Sequence, residues 1–189
     1  MVTFQILTPT IPGREFFASR LQKAIGYQLA GHPGASHRVF PDLTDRKETI
    51  GEKRARAIQE STADYVAFVD DDDLISKLYL SRVMPALEKR PDCCGLSVAY
   101  YQDGKFQSIF QHSLQHRENT GWQGFARTPH HLCPIRRDIA ARIEWPAKSW
   151  GEDYAFAMAV LPKLQTEEWL GPDPLYNYMF VSGKPGSVM

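Results

Sequence analysis

Apolar residues recur every three or four positions in three stretches of the first half of the chain. Leu21, Ile25 and Leu29 are an example, because this spacing places them on one face of an α-helix. The stretches predict three amphipathic helices, over residues 14–29, 50–61 and 78–88.

Short runs of apolar and β-branched residues precede these helices. They predict strands over residues 3–8, 37–40 and 65–69. The resulting order is strand–helix repeated three times, which is typical of a parallel sheet with crossover helices. We therefore expect an α/β fold with a mostly parallel central sheet, similar to a Rossmann fold.

The pattern changes after about residue 92. Two apolar runs flank Asp103-Gly104 and predict a β-hairpin, since this dipeptide suits the positive φ angles of a tight turn. A polar loop follows over residues 112–130, and further elements are predicted as strands 132–135, 169 and 176–181 and helices 136–143 and 153–164. We expect one domain over residues 1–189, with a parallel half (1–92) and a mixed, partly antiparallel half (93–189).

Composition narrows the possible classes of protein. Lys+Arg and Asp+Glu are both 22, so no net charge marks a nucleic-acid or membrane-surface binder. The three cysteines form no CxxC motif, which favours a reducing compartment. We find no signal peptide and no apolar run near the ~20 residues of a membrane span, so we expect a cytoplasmic protein without a transmembrane segment.

Four consecutive aspartates, Asp70 to Asp73, directly follow the apolar strand 65–69. A buried strand therefore delivers four like charges to its carboxyl end, where open α/β sheets bind ligands. Carboxylate oxygens are the ligands that Mg²⁺ and Mn²⁺ prefer, so the run predicts a divalent metal site. The alternative is a solvated acidic turn that only caps the next helix.

A second acidic pair, Glu152 and Asp153, opens the predicted helix after Trp150 and Gly151. Acidic residues in a first helical turn are commonly capping residues. Two separate acidic clusters also suit a metal site combined with a general base. A helix N-terminus lowers the pKa of a carboxyl group, whereas burial beside Trp150 would raise it.

Two further features have both a functional and a structural interpretation. Lys53 and Arg54 lie near the start of a predicted helix, where they bind an anion such as a diphosphate or form a solvated face. His131 precedes a predicted strand and is either a metal ligand or a structural residue. Trp122 and Trp150 flank polar loops and suit the stacking of sugar rings.

At this point the chain resembles the GT-A-fold glycosyltransferases of family 2. The resemblance rests on four segments: Thr8 to Arg14, Gly51 to Arg56, the strand that ends in Asp70 to Asp73, and Gly151-Glu152-Asp153. The run of aspartates resembles the DXD motif of the family. It implies a nucleotide-sugar donor, in the first instance a UDP-sugar, with Mn²⁺ or Mg²⁺.

The resemblance also implies roles for individual residues. Asp72 and Asp70 would hold the metal, Asp70 also facing the ribose, and Asp153 would deprotonate the acceptor in an inverting reaction. The residues that would bind the donor are Thr8, Pro9, Thr10, Arg14, Asp42, Lys53, Arg54, Asp70, Asp71 and Glu152. His131 would complete the metal site, and Trp150 and Trp122 would lie on the acceptor side. Asp71-x-Asp73 is a second possible register of the DXD motif.

Two other functions remain open from the sequence. One is a phosphatase-like hydrolase in which Asp70 is the nucleophile and Asp72 the acid. The other is a non-catalytic nucleotide-sugar binder. The acceptor is not identified: a glycan, a modified nucleic acid, a lipid-linked sugar and a small molecule are all compatible with the residues.

Overall fold

The computed structural model describes residues 1–44, 47–117 and 126–183. The described strands are β1 Phe4–Pro9, β2 Ala35–Phe40, β3 Tyr65–Phe68, β4 Leu74–Ile75, β5 Cys93–Gln102, β6 Lys105–His112, β7 Ala126–Arg127, β8 Ile135–Arg136 and β9 Glu167–Phe180. The helices are α1 Glu15–Leu29, α2 Ile50–Glu60, α3 Tyr79–Leu87, α4 Arg137–Ala140 and α5 Glu152–Val160, and a 3-10 turn at Leu161–Lys163 follows α5.

One mixed sheet contains all of these strands. Its order is β2-β1-β3-β8-β5-β6-β7, and β9 pairs with β5 and with β4. The β1 strand is parallel to β2 and β3, whereas β8 is antiparallel to β3 and β5, and β5 and β6 form the antiparallel hairpin. The expected α/β fold with a parallel first half and a mixed second half is confirmed.

A single hydrophobic core joins the two halves, from Val2 to Tyr176. The first-half strands contribute fully buried residues because helices pack on a parallel sheet. The exact boundary between the halves near residue 92 stays a prediction.

The second half departs from the predicted elements at several places: the strand expected over 132–135 is Ile135–Arg136, and the loop expected over 112–130 contains β7. The helix expected over 136–143 is helical only at Arg137–Ala140, and Trp145 beyond it stacks on Phe156, with 4.3 Å between ring centroids. The helix α5 changes to a 3-10 turn at Pro162, which has no N–H to donate. The two last strands are one strand, β9, whose pairing with β5 shifts register near its Gly-Pro segment.

The hairpin turn agrees with the sequence. Asp103 and Gly104 both have positive φ, 50° and 78°. In the described part of the chain, no helix combines the length and apolarity needed to cross a membrane.

Candidate active site

The four aspartates after β3 alternate between outward and inward positions. The side chains of Asp70 and Asp72 are 29% and 25% exposed, whereas that of Asp71 is 3% exposed. Asp73 is buried. The chain therefore turns Asp70 and Asp72 toward solvent, and this arrangement favours the Asp70/Asp72 register over Asp71/Asp73.

Asp73 connects the turn after β3 to β9. Its carboxylate accepts hydrogen bonds from the Tyr176 hydroxyl at 2.6 Å and from the Met179 N–H at 2.7 Å. Burial, together with the nearby charges of Asp70 and Asp72, raises the pKa of Asp73 well above its ordinary value. These contacts give Asp73 a structural role, which joins the acidic turn to the second half of the molecule.

Arg54 lies between the two acidic clusters. From α2, its guanidinium donates to both carboxylate oxygens of Asp70, at 2.9 and 3.0 Å, and to Glu152 Oε1 at 2.9 Å. Burial raises the pKa of Asp70, but the Arg54 charge and the nearby His131 ring outweigh that effect, so the pKa lies below its ordinary value. Asp70 is therefore ionised, and Arg54 fixes its position relative to Glu152.

Lys53 is also buried, with 1% of its surface exposed. Its Nζ donates to the Thr10 carbonyl at 2.8 Å and lies 3.7 Å from Asp42 Oδ2. Burial lowers the pKa of Lys53, and the charge of Asp42 opposes that shift. The interpretation of Lys53 and Arg54 as a solvated helix face is wrong, because both side chains point into the protein.

The start of α2 is fixed from two sides. Thr49 and Glu52 form a capping box, in which each side chain accepts a hydrogen bond from the other's backbone N–H. Gly51 approaches the loop before α5 so closely that a Cβ at this position would lie 2.0 Å from the Pro146 carbonyl oxygen. A glycine is needed there, and its close contact brings the first turn of α2 beside the segment that leads into Glu152.

Arg14 lies beside the outer carboxylates. Its guanidinium is 2.6 Å from both Asp71 Oδ1 and Asp72 Oδ2, and the Thr10 hydroxyl donates to Asp71 Oδ2 at 2.6 Å. Arg14 and Thr10 therefore lie in the predicted donor region. Thr8, by contrast, is buried, and its hydroxyl is 2.9 Å from His37 Nε2.

A cavity of about 490 Å³ opens beside these residues, and we call it the strand-end cavity. Its lining is Pro9, Ile11, Arg14, Asp42, Glu48, Ile50, Lys53, Arg54, Asp70, Asp71, Asp72, Ser149 and Glu152. Most of the predicted donor-binding residues line it. Thr10 reaches the same place through its bonds to Lys53 and Asp71, whereas Thr8 does not line it.

A second cavity, of about 360 Å³, adjoins the first, and we call it the aromatic cavity. Its lining is Arg54, Asp70, Asp73, Val98, Tyr100, Phe110, His112, Arg127, His130, His131, Leu132, Glu152, Asp153, Tyr178 and Phe180. Arg54, Asp70 and Glu152 line both cavities. The Arg54 ion-pair network is thus the wall between them.

Glu152 and Asp153 have different environments at the start of α5, where Gly151 has a φ of 69°. Burial raises the pKa of Glu152, although the charge of Arg54 acts in the opposite direction. Asp153 is 39% exposed, accepts the Tyr154 N–H at 2.7 Å and lies 3.4 Å from His130 Nε2. Burial would raise the pKa of Asp153, but the hydrogen bond and charge of His130 outweigh it and hold the pKa below its ordinary value.

His131 lies between Asp70 and the second acidic pair. Its Nε2 is 3.9 Å from Asp70 Oδ2, and burial lowers its pKa to about 3. Potential ligand atoms of His130, His131 and Asp153 all lie within 4.8 Å of one another. In the described part of the chain, Asp70, Asp72 and His131 do not form such a group.

The structure describes one of the two predicted acceptor-side tryptophans, Trp150. Trp150 is 70% exposed and lines neither cavity, so it does not bury Asp153 as expected. Trp122 lies outside the described residues.

Sequence reasoning missed the aromatic residues that do line this cavity. Tyr100 on β5 and Tyr178 on β9 stack with 5.7 Å between ring centroids, and Phe110 and Phe180 lie beside Tyr100. The aromatic residues at alternate positions 176, 178 and 180 were a signal that could have indicated one aromatic face.

The model for glycosyl transferase family 2 matches residues 27–145, more than half of the chain. The chain belongs to glycosyl transferase family 2. This membership confirms the expected family. No curated protein matches the chain significantly.

Solved structures of S. aureus TarS are similar to the chain. The complex of TarS 1–349 with UDP-GlcNAc gives a TM-score of 0.71 at 17% identity, over 100% of this chain and 61% of that one. The complex with UDP gives 0.68 at 17% identity, and TarS 1–349 alone gives 0.69 at 16% identity, each over 94% of this chain and 60% of the other. The chain thus spans about 60% of the TarS 1–349 structures, and the likeness confirms the GT-A-like fold.

Proposed function

We propose that this glycosyltransferase moves a sugar from a nucleotide-sugar donor, in the first instance a UDP-sugar, to an acceptor hydroxyl. The observation that carries the proposal is the pair of adjoining cavities, with Asp72 in one and Asp153 in the other. The two cavities meet at Arg54, Asp70 and Glu152, and the transferred sugar would lie at this border. The TarS complexes with UDP and UDP-GlcNAc support the choice of donor.

The strand-end cavity suits a nucleoside diphosphate and a divalent ion. Asp72 supplies the main oxygen ligand and Asp70, held by Arg54, a second one, and Mg²⁺ or Mn²⁺ sites of this kind use one or two carboxylates together with substrate phosphates. An ion held by these carboxylates would neutralise the negative charge of the leaving diphosphate. Arg14 and Lys53 supply positive charge, and Asp42, which also lines this cavity, is the proposed contact for the nucleoside.

Asp153 is the proposed general base of an inverting reaction. It lies in the aromatic cavity, on the other side of the Arg54 wall from Asp72, so it does not compete for the ion that holds the leaving group. An acceptor hydroxyl there attacks the anomeric carbon from the face opposite the diphosphate. Acceptor binding excludes water from Asp153 and raises its pKa toward that of a useful base.

Aromatic surfaces define the proposed acceptor site. The stacked Tyr100 and Tyr178 present flat apolar faces, and the histidines and Asp153 present polar groups opposite them. This mixture suits a sugar ring, whose C–H faces pack on aromatic rings while its hydroxyls form hydrogen bonds. The proposed acceptor is therefore a carbohydrate unit, whether in a glycan, a lipid-linked sugar or a smaller molecule.

The three cysteines, Cys93, Cys94 and Cys133, are buried and free of disulfides. This state suits a reducing environment, and we propose a cytoplasmic location.

The metal role of Asp72 is tested by calorimetry with UDP and Mn²⁺. For Asp72→Asn we expect UDP affinity to fall by at least about tenfold, or about 1.4 kcal/mol, because the ion loses a ligand. Asp138→Asn is the matched control, since Asp138 lies on α4, pairs with Arg136 and lines neither cavity. Undiminished UDP binding in the presence of EDTA would rule out the metal assignment.

The base assignment is tested with Asp153→Asn, which keeps the shape of the side chain but removes the proton acceptor. We expect UDP binding to be retained and sugar transfer to fall by about 10²–10⁴-fold, the usual scale for loss of a general base. NMR of the anomeric proton in the product should show inversion. Near-normal turnover of the variant, or retention of configuration in the product, would contradict the assignment of Asp153 as the base. Donor binding without turnover in the wild type would favour a non-catalytic binder.

A further inference from the structure

Three histidines form a row along the aromatic cavity. The His130 ring lies 4.1 Å from the His131 ring and 5.6 Å from the His112 ring, measured between centroids. His112 is held by the Thr128 carbonyl, 3.1 Å from its Nδ1. The row leads from the core to Asp153 at the start of α5.

Buried nitrogen atoms of this row have no hydrogen-bond partner within the described part of the chain. They are Nδ1 of His130 and both ring nitrogens of His131, and the two residues are only 8% and 6% exposed. Unsatisfied buried polar atoms are uncommon and costly in native proteins, and a bound ion is one established explanation. The unpartnered ring nitrogens of His131, next to His130 and Asp153, therefore point to a ligand.

We propose that His130, His131 and Asp153 form a binding site for Zn²⁺, separate from the ion at Asp72. Two imidazoles and one carboxylate, with one position left open, is a ligand set that proteins use for zinc. The 3.4 Å between His130 Nε2 and Asp153 Oδ2 already agrees with the separation of about 3.3 Å expected for two ligands around tetrahedral zinc. Mg²⁺ and Mn²⁺ prefer the oxygen ligands of the strand-end cavity.

Charge separates this site from the one at Asp72. On the side of Asp72, the carboxylate near His131 is that of Asp70. Both oxygens of Asp70 already accept hydrogen bonds from the buried Arg54 guanidinium. Asp153 Oδ2 instead faces His130, and only Oδ1 accepts a backbone hydrogen bond. A cation that recruits His131 is therefore better placed toward Asp153 than toward Asp70.

Zinc at this site has a consequence for catalysis that rests on the proposed function. A carboxylate that coordinates Zn²⁺ cannot accept a proton from the acceptor. Zn²⁺ should then inhibit sugar transfer while leaving UDP binding in the other cavity intact, so the site is inhibitory.

Direct metal binding tests the site without donor or acceptor. Metal-free protein is titrated with Zn²⁺ by calorimetry and with Co²⁺, whose visible absorption reports coordination by nitrogen. We expect one ion per chain, with affinity reduced by at least about tenfold in His130→Gln and in Asp153→Asn. Asp72→Asn should bind as the wild type does, and so should His32→Gln, which changes a histidine in the turn after α1.

Each result bears on the proposal. Loss of Zn²⁺ binding in Asp72→Asn, or unchanged binding in a folded His130→Gln protein, would overturn the site. Sugar transfer that is insensitive to Zn²⁺ at saturating occupancy would overturn the inhibitory role. Because the titration needs no turnover, failure of the proposed enzymatic function is distinguished from failure of the metal site.

Discussion

Arg54 combines a structural and a functional position in one side chain. It is buried, yet it pairs with Asp70 after β3 and with Glu152 at the start of α5, and its guanidinium also lies 5.5 Å from the Phe68 ring and 5.6 Å from the Trp145 ring. A buried ion network is costly to form, but losing one partner costs more because it leaves uncompensated charge. The stability of the site therefore depends on Arg54.

For Arg54→Gln we expect the free energy of unfolding to fall by about 3–5 kcal/mol, because Asp70 and Glu152 lose their common cation. Urea denaturation measures this change. Arg56→Gln is the matched control, since Arg56 lies on the same helix but is partly exposed with Glu48, and its pair should contribute about 1 kcal/mol or less. Equal losses in the two variants would contradict the special role of Arg54.

A double variant separates lost charge from lost packing. Adding Glu152→Gln to Arg54→Gln removes one of the stranded carboxylates, so part of the lost stability should return. A purely additive result would show that the two side chains are not coupled.

At the scale of elements, the packing of α2 against the loop before α5 brings the two acidic clusters together. The Gly51 N–H donates to the Lys148 carbonyl at 3.1 Å, and Gly51 leaves no room for a side chain. The first turn of α2 carries Lys53 and Arg54, and the loop leads to Glu152. Moving either element would alter both cavities.

Gly51→Ala should therefore destabilise the protein, by about 1–3 kcal/mol or more, because the new methyl group meets the Pro146 carbonyl. UDP affinity should fall with it, since Lys53 and Arg54 move. Gly26→Ala in α1 is the opposite case: nothing lies within 4 Å of its Cβ position, and alanine favours helix, so we expect a gain of about 0.5–1 kcal/mol. Thermal unfolding and calorimetry measure both effects, and a neutral Gly51→Ala would contradict the close contact.

At the scale of the whole molecule, the two halves of one sheet supply different cavities. The strand-end cavity is lined largely from the parallel half, whereas β5, β6 and β9 supply the aromatic residues of the other. The hydrogen bonds of Asp73 to Tyr176 and Met179 join the halves next to the site. Donor and acceptor contacts should thus be separable by mutation.

Tyr178→Ala tests this separation. Loss of a stacking surface should raise the KM for a carbohydrate acceptor by about three- to tenfold, while the Kd for UDP stays unchanged. Tyr27→Ala is the control, because Tyr27 is an exposed tyrosine on α1 that lines neither cavity. Weaker UDP binding in Tyr178→Ala, or an unchanged acceptor KM, would contradict the division.

The amino-acid sequence by itself determined the three strand–helix units of the first half, though not the short strand β4, together with the DXD-like run at the end of a strand and the expectation of family 2. These features depend on neighbours in the chain: hydrophobic periodicity reports helices and strands, and acidic residues after an apolar strand stay together wherever that strand lies. The second half was less predictable, because Trp145 and the Gly-Pro segment of β9 follow tertiary packing rather than local preference.

Only the tertiary structure decided which aspartates face the cavities and which groups hold them. Arg54 and Glu152 are 98 positions apart, and Asp73 and Tyr176 are 103 apart, so no local pattern relates them. The same holds for the histidine row and the stacked Tyr100 and Tyr178. Burial and ion pairing depend on the packing of distant segments, and this packing turned four similar carboxylates into two outward-facing groups and two buried ones.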